Sequence, residues 1–321
     1  MKYLFFDIEC AGVYKTVAKI CAFGYCLTDE NFQILEKEDI LINPQGSFHL
    51  TDRKGSQGLV LPYSYGEFKK YPVFPKLVDR IYALLHDPDT LVVGHATMND
   101  VKYLNLETKR FSLPSFCFEF ADTQFLYMNK IGEFNRQFGL GAIAEALGVE
   151  FTAHKAADDA FATMKVAEAI CKEEGLKLPE LIKKYKIKLG KIENYEVTQT
   201  RSAASEKYHK DAAKAKEKRE RARASFHEFV DKNRRLRNKN GVMKGLSVSF
   251  SRLQEERLDE SKELVLETFK KGGWFSYKVD DCNFYVCLDG ENGPRKQKAE
   301  ENGAKAMTAE QFRSYLSNLG E

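Results

Sequence analysis

Apolar runs of strand length, separated by polar turns, open the chain. Residues 2–6, 20–27 and 33–42 read as three strands, the middle one carrying Gly24 and the last ending at Asn43-Pro44. A loop bearing Gly46, Gly55, Gly58, Pro62 and Gly66 leads into helical periodicity over 75–85. The short run Leu91-Val92-Val93 stops at Gly94 and predicts a buried strand. Helical spacing returns near 101–106, 123–128 and 140–147. It is clearest in a helix beginning near Ala156, where Ala160, Phe161, Met164, Ala167 and Ile170 recur three and four residues apart. Three strands followed by alternating helices and short strands predict an α/β domain over residues 1–185, a mixed sheet flanked by helices.

The pattern then changes. Residues 203–237 contain neither Gly nor Pro, are rich in Ala, Lys, Arg and Glu, and predict one long polar helix anchored only by Phe226, Phe229 and Val230. Asn238-Lys239-Asn240-Gly241 ends it. Short strands and helices resume at 246–250, 261–270 and 284–287, with a final helix from Thr308. The expected division is a first domain at 1–185, a basic and largely helical linker at 186–240, and a small α/β module at 241–321.

Composition agrees with two soluble cores in 321 residues, 43% hydrophobic and 30% charged. No apolar run approaches the roughly 18–20 residues of a membrane span. Asp7 and Glu9 cut the opening run short, so it reads as a strand leading into an acidic site and not as a signal peptide. Seven cysteines, an odd number without a close Cys-x-x-Cys pair, argue against a zinc knuckle or a disulfide framework, and a reducing cytoplasm is the expected home. The net charge of +3 conceals a division: residues 181–240 hold 19 Lys and Arg against 8 Asp and Glu, leaving the remainder acidic.

Three separated segments supply carboxylates. Asp7 and Glu9 lie two apart at the end of the first strand, so both project from one face and repel unless a cation lies between them. Asp100 follows Gly94-His95 at the start of a helix. Asp158 and Asp159 follow His154 at the start of another. Taken singly, each has a plainer reading, as an exposed strand-end acid or a first-turn acid that suits the helix dipole.

Together they form a pattern. Asp-x-Glu, Gly-His-x-x-x-x-Asp and His-x-Ala-x-x-Asp-Ala occur in order, and the chain resembles the DEDDh exonucleases, the family of the polymerase III epsilon proofreading subunit, over residues 1 to about 185. The resemblance implies an RNase H-like fold on a five-stranded mixed sheet. It implies that Asp7, Glu9, Asp100 and Asp159 bind two Mg²⁺ or Mn²⁺ ions, for which hard oxygen ligands are suited. His154 would take the proton from the attacking water. Asp158 competes with Asp159 for the last ligand position; the five-residue step from His154 favours Asp159. The resemblance also places Cys10 and His95 at the terminal nucleotide. Departures at Cys10, Ala96 and Asn99, and an unfamiliar loop carrying Tyr63, Tyr65, Phe68 and Tyr71, bear on substrate grip and not on the metal ligands.

Residues 245–318 resemble a BRCT domain, a small fold used for protein or DNA-end binding, through Gly272-Gly273, Val286-Cys287, Lys296-Gln297-Lys298-Ala299 and Glu310-Gln311-Phe312. Phe250-Ser251 and Arg295 stand where phosphate-binding members carry Thr-Gly and Lys, so a docking or DNA-contact role is expected. Lys214, Lys216, Lys218, Arg219, Arg221 and Arg223 are candidate phosphate contacts, against the plainer reading of a solvated spacer.

The expected function is a two-metal 3′→5′ exonuclease acting on single-stranded DNA in proofreading or repair, with nucleic-acid 3′ ends and a protein docked on the BRCT-like module as partners. RNA 3′-end trimming stays open because recognition of the 2′-hydroxyl decides it. The reading from another class is an inactive binding adaptor, against which the complete acid set argues.

Overall fold

The computed structural model describes residues 1–46, 63–150 and 155–319. These form two compact units, Met1–His209 and Lys210–Glu321.

The first unit is built on strands β1 (Lys2–Val13), β2 (Ala18–Asp29) and β3 (Ile34–Leu41), an antiparallel meander. The predicted 2–6 strand runs on through both acids because Ile8 and Cys10 keep alternate positions buried as far as an irregularity in register at Cys10. Helices α1 (Tyr65–Phe68) and α2 (Phe74–Leu85) follow, and α2 buries Phe74, Val78, Ile81 and Leu85 on one stripe. Strands β4 (Thr90–Gly94) and β5 (Phe118–Asp122) extend the sheet in parallel beyond β1. Between and after them come α3 (Met98–Arg110), α4 (Thr123–Ile131), α5 (Leu140–Ala146), α6 (Ala156–Glu174) and α7 (Leu178–Lys184).

Five strands were expected; the sheet has seven, in the order β3-β2-β1-β4-β5-β7-β8. The two additions come from 186–202, read from the sequence as part of a helical linker. There β6 (Ile187–Lys188) pairs with β9 (Arg201–Ser202), while β7 (Gly190–Glu193) and β8 (Glu196–Thr198) form a hairpin that pairs antiparallel with β5. Ile192 is fully buried beneath the hairpin, which offsets the cost of ordering so short and polar a segment. The domain boundary expected at 185 therefore falls short of the sheet's edge.

The alternation of β1 divides the core. Leu4, Phe6, Ile8 and Cys10 face the side covered by α2 and α3, with Val78, Val101 and Leu104. Tyr3 and Phe5 face the side covered by α4 to α7, with Leu126, Met164, Ala167 and Leu181. By the same alternation Asp7 and Glu9 belong to the second side, beyond the apolar positions.

Helix α8 (Ala203–Asn233) starts in the first unit and continues into the second, followed by a 3₁₀ turn at Arg234–Leu236. The second unit carries a four-stranded parallel sheet in the order β11-β10-β12-β13, from β10 (Ser247–Phe250), β11 (Trp274–Phe275), β12 (Phe284–Val286) and β13 (Lys305–Met307). Helices α9 (Arg252–Glu255), α10 (Leu258–Lys270), α11 (Pro294–Glu301) and α12 (Ala309–Asn318) connect them, the last opened by a Thr308/Gln311 capping box. Phe226 and Val230 of α8 are fully buried in this core, Phe226 stacked 5.6 Å from Phe250. The C-terminal unit thus takes part of its core from before residue 241, the boundary expected from the sequence. No helix among the described residues is long and apolar enough to cross a membrane.

Candidate active site

The site begins with a row of three residues across adjacent strands. Asp7 on β1 pairs with Gly24 on β2, and Gly24 pairs with Asp39 on β3. The first turn of α6 lies directly over Gly24: a Cβ there would stand 2.0 Å from the carbonyl carbon of Ala156 and 2.1 Å from the amide nitrogen of Ala157. Glycine at 24 is what allows the backbones this approach. Buried Ala156, Ala157 and Ala160 keep the helix thin where it meets the sheet.

No side chain of its own caps α6. Asp39 Oδ1 accepts the Ala157 N–H at 2.6 Å, an anion at the positive end of the helix, and Lys155 stands 3.8 Å from Oδ2 of the same carboxylate. The helix start is therefore fixed against the sheet, which carries Asp159 toward β1.

Ligand oxygens of Asp7, Glu9 and Asp159 all lie within 4.8 Å of one another. Asp158, one position earlier, turns the other way and ion-pairs with Lys37 at 2.6 Å, the two side chains being about equally half-exposed. The choice left open by the sequence is thereby separated geometrically: Asp159 joins the cluster and Asp158 does not.

Asp100 stands outside that set of three but beside it. It is buried in the first turn of α3. The turn before that helix is held by Asp122, the N-cap of α4, whose carboxylate accepts N–H bonds from Ala96 and Thr97 at 3.0 Å and from Gln124 at 2.9 Å. Burial raises Asp122 to about 6 despite these three donors. The sequence marked Asp122 only as a family-like segment; its role in placing Asp100 comes from the fold.

The electrostatics follow from crowding acids into a poorly solvated corner. Asp7 is pushed well above the usual carboxylate range, first by burial and then by Asp100, Glu9 and Asp159. Burial, Asp159 and Asp39 raise Glu9 to about 7. Asp100 is also raised well above the ordinary value by burial, opposed by N–H donors from its own backbone and from Ile8. Three carboxylates with oxygens within 4.8 Å of one another, and Asp100 acting on Asp7 beside them, fit hard divalent cations. Asp39, Gly24 and Lys37 belong to the same construction and carry no signal in the sequence beyond a glycine inside a strand.

Two residues expected at the terminal nucleotide make contacts within the protein. His95 holds Thr123 Oγ1 at 2.9 Å through Nδ1 and the Phe138 carbonyl at 3.0 Å through Nε2. Burial lowers it to about 4, and the neutral ring ties the strand end to α4. Cys10 is buried in the core, its thiol pushed far up by burial. Of the loop aromatics, Phe68 packs into a small core with Ala11 and Cys21, and Tyr63 meets it edge-on at 5.7 Å. His154 lies outside the described residues.

A family model described as Exonuclease (RNase T) matches residues 4–167. The chain belongs to this exonuclease family. Membership makes the chain an exonuclease by family, and the converging oxygens of Asp7, Glu9 and Asp159 suit a divalent metal. No curated protein matches the exonuclease. Among solved structures, it is similar to a 3′-exonuclease whose structure describes 3′-end specific recognition of a histone mRNA stem-loop. That match has 15% identity and a TM-score of 0.48, and covers 63% of this chain and 71% of the other. It is also similar to exonuclease I (19% identity, TM-score 0.47, 58% and 43% covered). A zinc-bound complex of E. coli exonuclease I with single-stranded DNA matches at 20% identity and TM-score 0.47, with 58% and 42% covered. The exonuclease spans less than half the length of those exonuclease I chains.

Proposed function

We propose that this exonuclease removes nucleotides from the 3′ ends of single-stranded DNA, in proofreading or repair. The observation that carries the reading is the convergence of Asp7, Glu9 and Asp159 within 4.8 Å, with Asp100 alongside. These four would hold two Mg²⁺ or Mn²⁺ ions. When bound, such ions neutralise the scissile phosphate and make water ionise near neutral pH.

The remaining work falls to the chain. Asp7 is the carboxylate on which Asp100, Glu9 and Asp159 all act, so a nearby cation would relieve the repulsion it feels. Asp39 and Gly24 position Asp159 by holding α6 to the sheet. Asp122 positions Asp100 through the turn at Ala96 and Thr97. His154 is the proposed general base, placed by its five-residue step from Asp159 in the sequence.

DNA is favoured over RNA by the second unit. Its parallel sheet, with the second strand at the edge and the first between second and third, supports the BRCT-like reading and hence a docking or DNA-end role. In that unit Ser251 Oγ donates to Glu291 Oε2 at 2.7 Å, and Arg295 donates to the Tyr277 carbonyl at 3.1 Å. By the sequence resemblance these are the positions at which phosphate-binding members would receive a phosphate, and the bonds both groups already make support a partner other than a phosphopeptide. The substrate is tested by digesting DNA and RNA strands of one sequence side by side in Mg²⁺. Faster shortening of DNA is expected; preferential shortening of RNA would make the protein an RNA-trimming enzyme.

A further inference from the structure

Of the six basic residues of α8 singled out in the sequence, four are ion-paired within the protein, Lys214 and Lys218 having no carboxylate partner among the described residues. Arg219 and Arg223 reach Glu256 at 3.7 and 3.1 Å, Lys216 pairs with Glu220, and Arg221 pairs with Glu217. The basic run that follows the helix is different. Arg234 pairs with Asp231 and lies over Tyr277, but among the described residues no carboxylate ion-pairs Arg235, Arg237 or Lys239. All three are exposed.

Trp274 faces this run. It is the only tryptophan of the chain, opens the edge strand β11, and is 38% exposed, whereas Phe275 beside it turns into the core at 2%. Among the described residues its indole N–H has no hydrogen-bond partner. Arg234, Arg235, Arg237, Lys239, Phe269 and Trp274 line one cavity of about 290 Å³ with Phe275. The arrangement is fixed by backbone bonds. Asn238 N–H donates to the Phe269 carbonyl at 2.8 Å and Met243 N–H to the Lys271 carbonyl at 2.7 Å. A Cβ on Gly241 would stand 2.3 Å from the Lys271 carbonyl oxygen, so glycine lets the basic segment lie directly on the α10–β11 turn.

We propose that this surface is a second nucleic-acid site, binding single-stranded DNA or RNA away from the hydrolytic centre. Trp274 is the platform on which a base stacks, and Arg235, Arg237 and Lys239 contact the flanking phosphates. A half-exposed indole beside cations without carboxylate partners suits a ligand that alternates flat π-faces with negative charge. An acidic peptide would satisfy the cations and leave the indole without a stacking partner. The inference rests on the reading of the chain as an enzyme of nucleic acid.

The single tryptophan makes the site its own probe. A dT oligonucleotide of about 12 nucleotides, within the usual reach of a single-strand surface, is titrated into the full chain in EDTA while tryptophan emission is followed. Saturable quenching is expected. Replacing Arg235, Arg237 and Lys239 with Gln should weaken binding at least tenfold and lower the slope of log affinity against log salt by about 2. Trp274→Ala, followed by anisotropy of a labelled strand, should lose roughly tenfold in affinity, and Trp274→Tyr should recover most of it. Turnover of p-nitrophenyl thymidine 5′-phosphate, which occupies only the hydrolytic site, should stay unchanged in all of these variants.

Strand binding that leaves tryptophan emission unmoved overturns the proposal. So does equal quenching by poly-glutamate, which would make the surface a dock for acidic protein. Hydrolysis of the strand in Mg²⁺ without quenching removes the second site and leaves the exonuclease reading intact; quenching without hydrolysis does the reverse.

Discussion

Gly24 and Asp7 are partners across β2 and β1, and the space above Gly24 that a side chain would fill holds the backbone of Ala156 and Ala157. One residue without a Cβ therefore sets the distance between the strand that carries Asp7 and Glu9 and the helix that carries Asp159. Because the opposing atoms are backbone, no rotamer change can relieve a larger residue.

Gly24→Ala should accordingly lift α6 from the sheet. The expected cost in stability is about 1–3 kcal/mol, typical of overpacking, read from the denaturant midpoint. The expected loss in hydrolysis is larger, about 10²-fold, because small misplacements of reacting groups are amplified in rate. A variant that unfolds earlier but keeps full activity would show that the α6 position is not what aligns the site.

Asp158 and Asp159 are neighbours with different fates. Asp159→Asn should reduce hydrolysis by orders of magnitude with the fold preserved. Asp158→Asn removes only a half-exposed ion pair with Lys37 and should change stability by no more than about 1 kcal/mol, leaving turnover near that of the parent. Assays of both variants on one substrate check this, and equal losses would contradict the geometric separation.

The crowded acids give a pH signature without metal. Glu9 is raised from 4.5 to about 7. A carboxyl raised in the fold stabilises it fully below 4.5 and loses that contribution as pH rises through about 7. The thermal midpoint in EDTA should therefore fall between about pH 5 and pH 8. Mg²⁺ should restore more at the upper end than at the lower, since it takes over the charge. Glu9→Gln should flatten the profile. A metal-free midpoint that climbs across this window would be incompatible with the cluster.

His154 is the base proposed from the sequence pattern. His154→Ala should keep metal binding, measured by calorimetry with Mn²⁺, and lose roughly 10²–10⁴-fold in rate. The acidic limb of the pH–rate profile should shift or vanish with it. An unchanged rate and profile would send the proton elsewhere.

Much of this was readable from residues alone, for physical reasons that differ from element to element. β1, β2 and β4 announce themselves as short apolar runs because their residues are buried in the sheet, and α6 by its helical spacing. Asp7 and Glu9 were legible because a spacing of two in a strand fixes a common side. The hairpin of β7 and β8 was not, since seven mostly polar residues between Gly190 and Thr198 hold one buried isoleucine and give no period. β5 was missed for a similar reason, its five residues mixing aromatics with acids. The partners of His95, Thr123 Oγ1 and the Phe138 carbonyl, were not legible either, since they lie 28 and 43 residues away. Asp39 could not be found at all, because its partner, the Ala157 amide, is 118 residues away.

The central claim is that the acids around Asp7 hold the metal that drives hydrolysis from a 3′ end. Digestion of a 5′-labelled single strand by the parent and by Asp7→Asn, each in Mg²⁺, Mn²⁺ and EDTA, tests it most directly. The parent should shorten the strand stepwise from its 3′ end with either metal and leave it whole in EDTA. Asp7→Asn should be slower by roughly 10³-fold or more, the equivalent of several kcal/mol of lost charge stabilisation. Undiminished shortening by Asp7→Asn, or shortening by the parent in EDTA, would contradict the account.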